Sequence, residues 1–455
     1  MTRKQLFALL ATIIGSAVVF LDGSVVNLAL PHIGKDLGGG FGAMQWIMDG
    51  YLLSLSALIL LGGSLGDIFG QRRIYFIGLV GFGVASLVCG LSPNSSVLIG
   101  TRIAQGVFGA MLVPSALAII NTNFPPEKRG VAIGRWTGFS AIVTALGPLV
   151  GGYLVDVASW RWIFFINIPL LVVTIIFARI GLVEHVGDRT RKIDVFGATL
   201  AMLSFASITY GLIEGPVQNW ASATIAPIII GLLLLGLFGY YESKAKDPML
   251  KLDLFRSHNF TGANITTFAM YGALGGFFFI LGIYLQTIGG YSALEAGASF
   301  LPIPIILFFL SSRAGGWSAK YGPRAFMTAG PILAAIGIAL LLRLGHHASY
   351  LLTVLPGVTV FALGLALTVA PLTSTVMGSV SLAESGIASG VNNAISRVAG
   401  LIVIALLGLF GSAHAYQFAA ILCALLAAGA GVISFVLIEN PSHAAGNNNA
   451  EKLTS

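Results

Sequence analysis

Fourteen stretches of mostly apolar residues, each near the ~20 residues needed to cross a bilayer, follow one another between residues 6 and 438. They run over 6–30, 44–65, 74–92, 97–120, 131–153, 162–180, 194–213, 221–241, 259–286, 296–312, 325–345, 350–371, 386–410 and 413–438. A bilayer offers no water to an unpaired backbone group, so runs of this length must be helices. Only 9% of the residues are charged, against about 25% in soluble domains. The chain therefore reads as an all-α integral membrane protein embedded in a lipid bilayer.

Charge sets the sidedness. An even number of spans places both termini and the links after even-numbered spans on one face. All but five of the 24 Lys and Arg fall there, including Lys128, Arg129, Arg189, Arg191, Lys192, Lys244, Lys246, Lys251 and Arg256. Lys35, Arg161 and Arg343 fall on the other face, and Arg102 and Arg397 lie inside spans. The positive-inside rule then predicts a multi-pass protein of the cell (cytoplasmic) membrane with both termini in the cytoplasm. The first apolar run, Leu6 to Leu30, exceeds a signal-peptide core and contains Asp22, so it reads as a retained span. The net charge of +7 is spread over separate short links, which does not build a nucleic-acid surface. Cys89 and Cys423 both lie in apolar runs, so neither a disulfide framework nor a metal site is indicated. No phosphate-binding Gly-x-x-x-x-Gly-Lys-Ser/Thr loop occurs, and no cofactor is expected. The spans carry no His-Glu-His, Ser-His or Cys-His set, which argues against an enzyme. The tail from Asn440 is polar and is expected to stay unfolded.

Charges that do lie within spans are costly and mark function. Asp22 and Asp49 are the acids well inside spans, and Arg102 is a buried base that needs an acid partner. Asp49 lies near the outer end of the second span, where it either reaches water or joins proton coupling. Between spans 2 and 3 runs Gly63-Ser64-Leu65-Gly66-Asp67-Ile68-Phe69-Gly70-Gln71-Arg72-Arg73, a short link rich in glycine. Span 5 contains Gly147-Pro148-Leu149-Val150-Gly151-Gly152, where proline kinks a helix and small residues admit a neighbour. In the second half, Asn392, Asn393 and Arg397 are the clearest intramembrane polar groups, and Tyr284 and Gln286 stand near a span end. Ala314 to Arg324 lies over Gly62 to Arg72 without a gap, matching Gly63 with Gly315, Gly70 with Gly322 and Arg72 with Arg324. This is a weak internal repeat.

These motifs resemble those of the major facilitator superfamily, and in particular its fourteen-helix drug:proton antiporters. The Gly63–Arg73 stretch resembles the family's loop between its second and third helices. Leu21-Asp22-Gly23 resembles the first-helix motif, Arg102 to Gly106 the fourth-helix motif, and Gly147 to Gly152 the antiporter motif, with Val143 where a glycine usually stands. Trp160-Arg161-Trp162 to Pro169 looks like a signature of the fourteen-helix subfamily, although an interfacial aromatic belt alone accounts for its residue types. The resemblance implies two six-helix bundles plus two extra central helices. On that reading residues 1–180 form the N-terminal bundle, 181–243 the two additional helices with their flanking loop, 244–438 the C-terminal bundle and 439–455 a cytoplasmic tail. It further implies a monomer exporting drugs or other amphipathic or cationic small molecules in exchange for protons. Asp22, Arg102 and Asp49 would couple protons. Gly63, Asp67, Gly70, Arg72 and Arg73 would gate the cytoplasmic side. Gly147, Pro148, Gly151 and Gly152 would form a close helix contact, and Asn27, Gln105, Tyr284, Gln286, Asn392, Asn393 and Arg397 would line a substrate cavity. The alternatives are an exporter of one metabolite (amino acid, peptide or siderophore) and a proton-coupled importer, against which the Gly147-Pro148 stretch argues.

Overall fold

A computed structural model describes residues 1–183, 187, 194–245, 248–345, 348–380 and 385–440. The basic residues Arg189, Arg191, Lys192 and Lys246, and the tail beyond Asn440, lie outside the described residues. The first half comprises α1 (Arg3–Leu37), α2 (Gly40–Phe69), α3 (Gln71–Gly90), α4 (Ser95–Asn123), α5 (Pro126–Val157), α6 (Trp162–Phe165) and α7 (Asn167–Gly181). Next come α8 (Val195–Val217) and α9 (Ser222–Lys244). The second half comprises α10 (His258–Thr287), α11 (Ala293–Ala298), α12 (Pro302–Tyr321), α13 (Pro323–Leu340), α14 (Leu355–Gly378), α15 (Ser385–Leu407) and α16 (Gly411–Leu437). Thirteen helical stretches among the described residues are long and apolar enough to cross a membrane. The helix α5 fills the remaining expected position, so every expected span has its helix.

Helices outrun the apolar runs that announced them. The link expected between residues 65 and 74 shrinks to one residue, Gly70, at φ 93° and ψ 128°. Nothing in Gly66-Asp67-Ile68-Phe69 breaks a helix, and a glycine at positive φ reverses the chain without a Cβ clash. Asp67 therefore sits in the last turn of α2, and Arg72 and Arg73 in the first turn of α3. Gly322 joins α12 to α13 with nearly the same geometry, φ 90° and ψ 150°. The weak sequence repeat is thus a repeated backbone turn.

Span 6 is interrupted at Ile166. Pro169 has no N–H to offer the carbonyl of Phe165, so the helix breaks and restarts at Asn167. Trp160, expected in an interfacial belt, is buried instead, donating Nε1 to Asp36 Oδ2 at 2.9 Å while the Arg161 guanidinium stacks on its ring at 4.2 Å.

Packing sorts the helices into two sets. In the first, α2 and α3 pack on α4, and α1 packs on α5 and α7. In the second, α10 packs on α15 and α16, α13 on α14 and α16, and α12 on α14. The sets meet through α1 with α10, α2 with α15, and α5 with α11. The helices α8 and α9 form a separate pair, and α8 also touches α2 and α15, one helix from each set.

Without a hydrophobic drive between helices in lipid, close approach supplies the cohesion. Gly62 of α2 lies so near α4 that a Cβ there would run into the backbone of Ala110. We predict that Gly62→Val destabilises the first set by about 1–3 kcal/mol, the usual cost of overpacking, seen as a lower melting temperature in detergent. An unchanged melting temperature would show that α2 and α4 are free to separate.

Candidate functional site

Five helices of the first set converge on one buried polar cluster. Asp22 stands midway along α1 and Arg102 two turns into α4, and neither side chain has any exposed surface. Arg102 Nη1 pairs with Asp22 Oδ2 and also donates to Gln105 Oε1 at 2.7 Å. Its Nε donates to the carbonyl of Ile47 in α2 at 3.1 Å, and its Nη2 has no partner. The second oxygen of Asp22 accepts from Gln105 Nε2 at 2.9 Å and from Asn167 Nδ2 at 3.1 Å. Ser86 Oγ in α3 accepts from Gln105 and Asn167, at 3.2 and 2.8 Å, and donates to the carbonyl of Phe164 at 3.0 Å. The Tyr51 ring lies 4.1 Å below the guanidinium. Each group here offsets the desolvation of another, which is the condition for keeping charges out of water.

The helix break at Ile166 places Asn167 in this cluster. Neither Asn167 nor Ser86 was expected there, although a lone amide two residues before Pro169 in an apolar run was a usable signal. Gln105 was expected in the substrate cavity and belongs here instead. Three residues separate it from Arg102, which puts both on one helix face.

Asp49 is also fully buried, with no hydrogen-bond partner on either carboxylate oxygen. Access to water is ruled out in this state. One turn away, Gln45 Nε2 donates to the carbonyl of Ile404 at 2.6 Å, and Trp46 Nε1 donates to Glu214 Oε1 of α8 at 2.9 Å. These contacts cover the start of α2, so of the two readings of Asp49 the water-exposed one does not hold here.

Between the two sets lies a cavity of about 440 Å³ near mid-depth. Phe20, Gly23, Ser24, Asn27, Met48, Leu52 and Pro148 form one wall. Tyr271, Leu274, Phe278, Phe300, Ile303, Leu307, Leu365, Val369, Asn393, Ser396 and Arg397 form the other. Of the residues expected to line it, Asn27, Asn393 and Arg397 do. Asn392 instead donates to Asn264 and Thr267 of α10, at 3.0 and 2.7 Å, inside the second set. Tyr284 stacks on Tyr416 with centroids 3.8 Å apart and donates to the carbonyl of Leu344. Adjacent positions on a helix point about 100° apart, so Asn392 and Asn393 cannot share a face.

Gln286, the remaining expected cavity residue, joins the sets instead, donating to the carbonyl of Leu28 at 3.0 Å. Asp156 at the end of α5 accepts the backbone N–H groups of Ala293 and Leu294 at 3.1 and 2.7 Å, reaching the start of α11 in the other set. With Gln45, these bonds lie between the cavity and the face opposite the N-terminus. Nearby, a Cβ on Gly152 would meet the backbone of Ala293, and one on Gly151 would meet Val25 of α1. The Gly147–Gly152 stretch is thus a close helix contact, but Pro148 within it also lines the cavity. On the opposite face Asp67 accepts from Gln71 Nε2 at 2.8 Å across the Gly70 turn.

A membrane protein built from two helical sets around a central cavity, with a buried ion pair beside it, has the plan of a solute transporter. The profile of the Major Facilitator Superfamily matches residues 12–404, with a second match over 314–454. The chain belongs to that superfamily. It is 33% identical over 410 residues to the multidrug resistance protein Stp of Mycobacterium tuberculosis, covering 90% of this chain and 76% of that one. It is 32% identical to the tetracenomycin C resistance and export protein of Streptomyces glaucescens, covering 88% and 74%. It is 33% identical to the puromycin resistance protein pur8 of Streptomyces alboniger, covering 89% and 81%. Among solved structures it resembles a peptide transporter in complex with sulfate, at 16% identity and a TM-score of 0.73 over 95% of this chain and 94% of that one. A bacterial homologue of the lysosomal transporter Spinster, in an inward-facing and unoccupied conformation, gives a TM-score of 0.69 at 14% identity over 96% and 97%.

Removing one member of a buried ion pair strands the other. Arg102→Ala should therefore destabilise the protein by about 3–5 kcal/mol, while the double variant Asp22→Asn, Arg102→Gln should recover most of that loss. Thermal unfolding in detergent checks both.

Proposed function

We propose that the protein is a proton-coupled antiporter that exports amphipathic small molecules, antibiotics among them, across the cytoplasmic membrane by alternating access. The basic links support a cytoplasmic N-terminal face. Relatives known for drug resistance and export support efflux over uptake. The observation that carries proton coupling is the position of Asp22. It is buried on Arg102, yet it is followed directly by Gly23 and Ser24, which line the cavity. Each chain contributes both walls of the cavity, in keeping with a monomer as the working unit.

The exchange runs through α1. A proton arriving at Asp22 cancels the charge that holds Arg102, and the guanidinium must then find other acceptors. Asp22 is held by donors on α4 and α7, so losing its charge loosens α1 against both. That motion reaches the cavity wall at Ser24 and lets a bound compound leave outward. Loss of the proton to the cytoplasm restores the pair. Asp156, Gln286 and Gln45 close the outer gate in the present state, and Gly63, Asp67, Gly70, Arg72 and Arg73 serve the cytoplasmic gate. Gly147, Gly151 and Gly152 keep α5 close to α1 and α11 while the gates exchange. Asp22 points at Arg102 rather than into the cavity, so direct attraction of a cationic compound by its carboxylate is not part of this scheme.

Asp22→Asn should abolish uphill efflux from proteoliposomes driven by a proton gradient while leaving membrane insertion intact. The decisive measurement is proton release on adding substrate to purified protein. Release lost in Asp22→Asn and kept in Asp49→Asn supports the assignment; the reverse moves the carrier to α2. The outer gate has its own test. Asp156→Ala removes two charge-assisted bonds worth roughly 1–3 kcal/mol each, so the outward-open population should rise at least about tenfold. Spin-label distances between the ends of α5 and α11 measure that shift.

A further inference from the structure

Arg397 is the charged side chain lining the cavity, and no Asp or Glu lines it. It stands half-buried near mid-depth on α15, with its guanidinium 5.4 Å from the centre of the Phe20 ring. Asp22–Arg102, Asp36–Arg161 and Asp253–Arg256 form ion pairs, and Arg397 pairs with no acid among the described residues. Among the described residues no hydrogen bond from the protein satisfies it either, so its five N–H donors are left for a ligand in the cavity it lines.

A guanidinium at this depth needs an anion. One aromatic face offsets part of its desolvation and offers no acceptor. One turn earlier on the same helix face, Asn393 also lines the cavity, and its amide makes no described hydrogen bond. Across the cavity Asn27 Oδ1 has no partner, which leaves that amide free to turn its N–H₂ to a ligand. Apart from Ser24 and Ser396, whose hydroxyls donate to backbone carbonyls of their own helices, the remaining walls are apolar and aromatic, notably Phe20, Tyr271, Phe278 and Phe300.

From these groups we propose that the cavity selects organic anions: a carboxylate or phenolate held by Arg397 with Asn393, carried on a ring system packed among the aromatic walls. The proposal deepens the exporter reading and rests on it for the direction of transport. It reverses the expectation of a cationic substrate, because a positive charge beside Arg397 has no counter-ion in the cavity. An anion leaving while one proton enters moves two charges, so such export draws on membrane potential as well as on the pH difference.

Three probes that share one ring test the charge class: naphthaleneacetate, naphthaleneacetamide and naphthylethylammonium. Each is measured by equilibrium dialysis against the full-length protein in an uncharged maltoside detergent. Wild type should bind the anion at least about tenfold more tightly than the amide, in line with a charged hydrogen bond, and the ammonium most weakly. Arg397→Gln should abolish the preference for the anion, and Arg397→Lys should keep part of it. Equal binding of the three, no measurable binding, tightest binding of the ammonium, or an unchanged preference in Arg397→Gln would overturn the proposal. No gradient enters this measurement, so its failure leaves proton-coupled export standing. Failure of coupling in proteoliposomes would likewise leave the charge selectivity untouched.

Discussion

A carboxylate and a guanidinium can leave water together when every remaining donor and acceptor around them is met. The first half of this protein goes most of the way to that condition, leaving Arg102 Nη2 and Asn167 Oδ1 without partners. Asp22 on α1 and Arg102 on α4 are brought together by helices that are distant in sequence, and α2, α3 and α7 supply the other partners through Ile47, Ser86 and Asn167. The cost of separating the pair ties together helices that lipid alone would not hold, since between helices in a bilayer the hydrophobic effect gives little preference. The same cost is what the proposed proton coupling at Asp22 would draw on.

Close packing is the second constraint. The helices α2 and α4 touch backbone to backbone at Gly62, and α5 meets α1 and α11 at Gly151 and Gly152. Such contacts slide as units, because no side chain stands between them to be repacked. The polar cluster and the cavity are joined through α1. Asp22 belongs to one and Ser24 to the other, within a single turn of α1.

Much of this was legible in the sequence, for definite reasons. A charge inside an apolar run is too costly to be accidental, so Asp22 and Arg102 stood out. Span length follows from bilayer thickness, which is why each of the fourteen runs found its helix. Helix ends were less legible, because hydropathy marks the lipid-facing portion and not the turns that project beyond it. Polarity also cannot say which way a side chain faces. Gln105, Tyr284, Gln286 and Asn392 were all polar groups in or beside spans, yet each bonds to another part of the protein, Tyr284 to the link after α13 and the others to a neighbouring helix. Asn27, Asn393 and Arg397 reach the cavity because of their register against the opposite set. The burial of Asp49 was illegible for a related reason, since its cover comes from α8 and α15, far away in the chain.

The pair α8 and α9 makes the two flanks of the molecule unlike. Two sets of helices packed side by side meet along two flanks. The helix α8 lies along one of them, touching α2 on one bank and α15 on the other, with Trp46 fastened to Glu214 across the contact. The opposite flank, where α5 faces α11 and α12, has no such bridging helix among the described residues. The molecule is therefore one-sided: a separate helix bridges the two sets on one flank, and on the other they meet directly, α5 against α11.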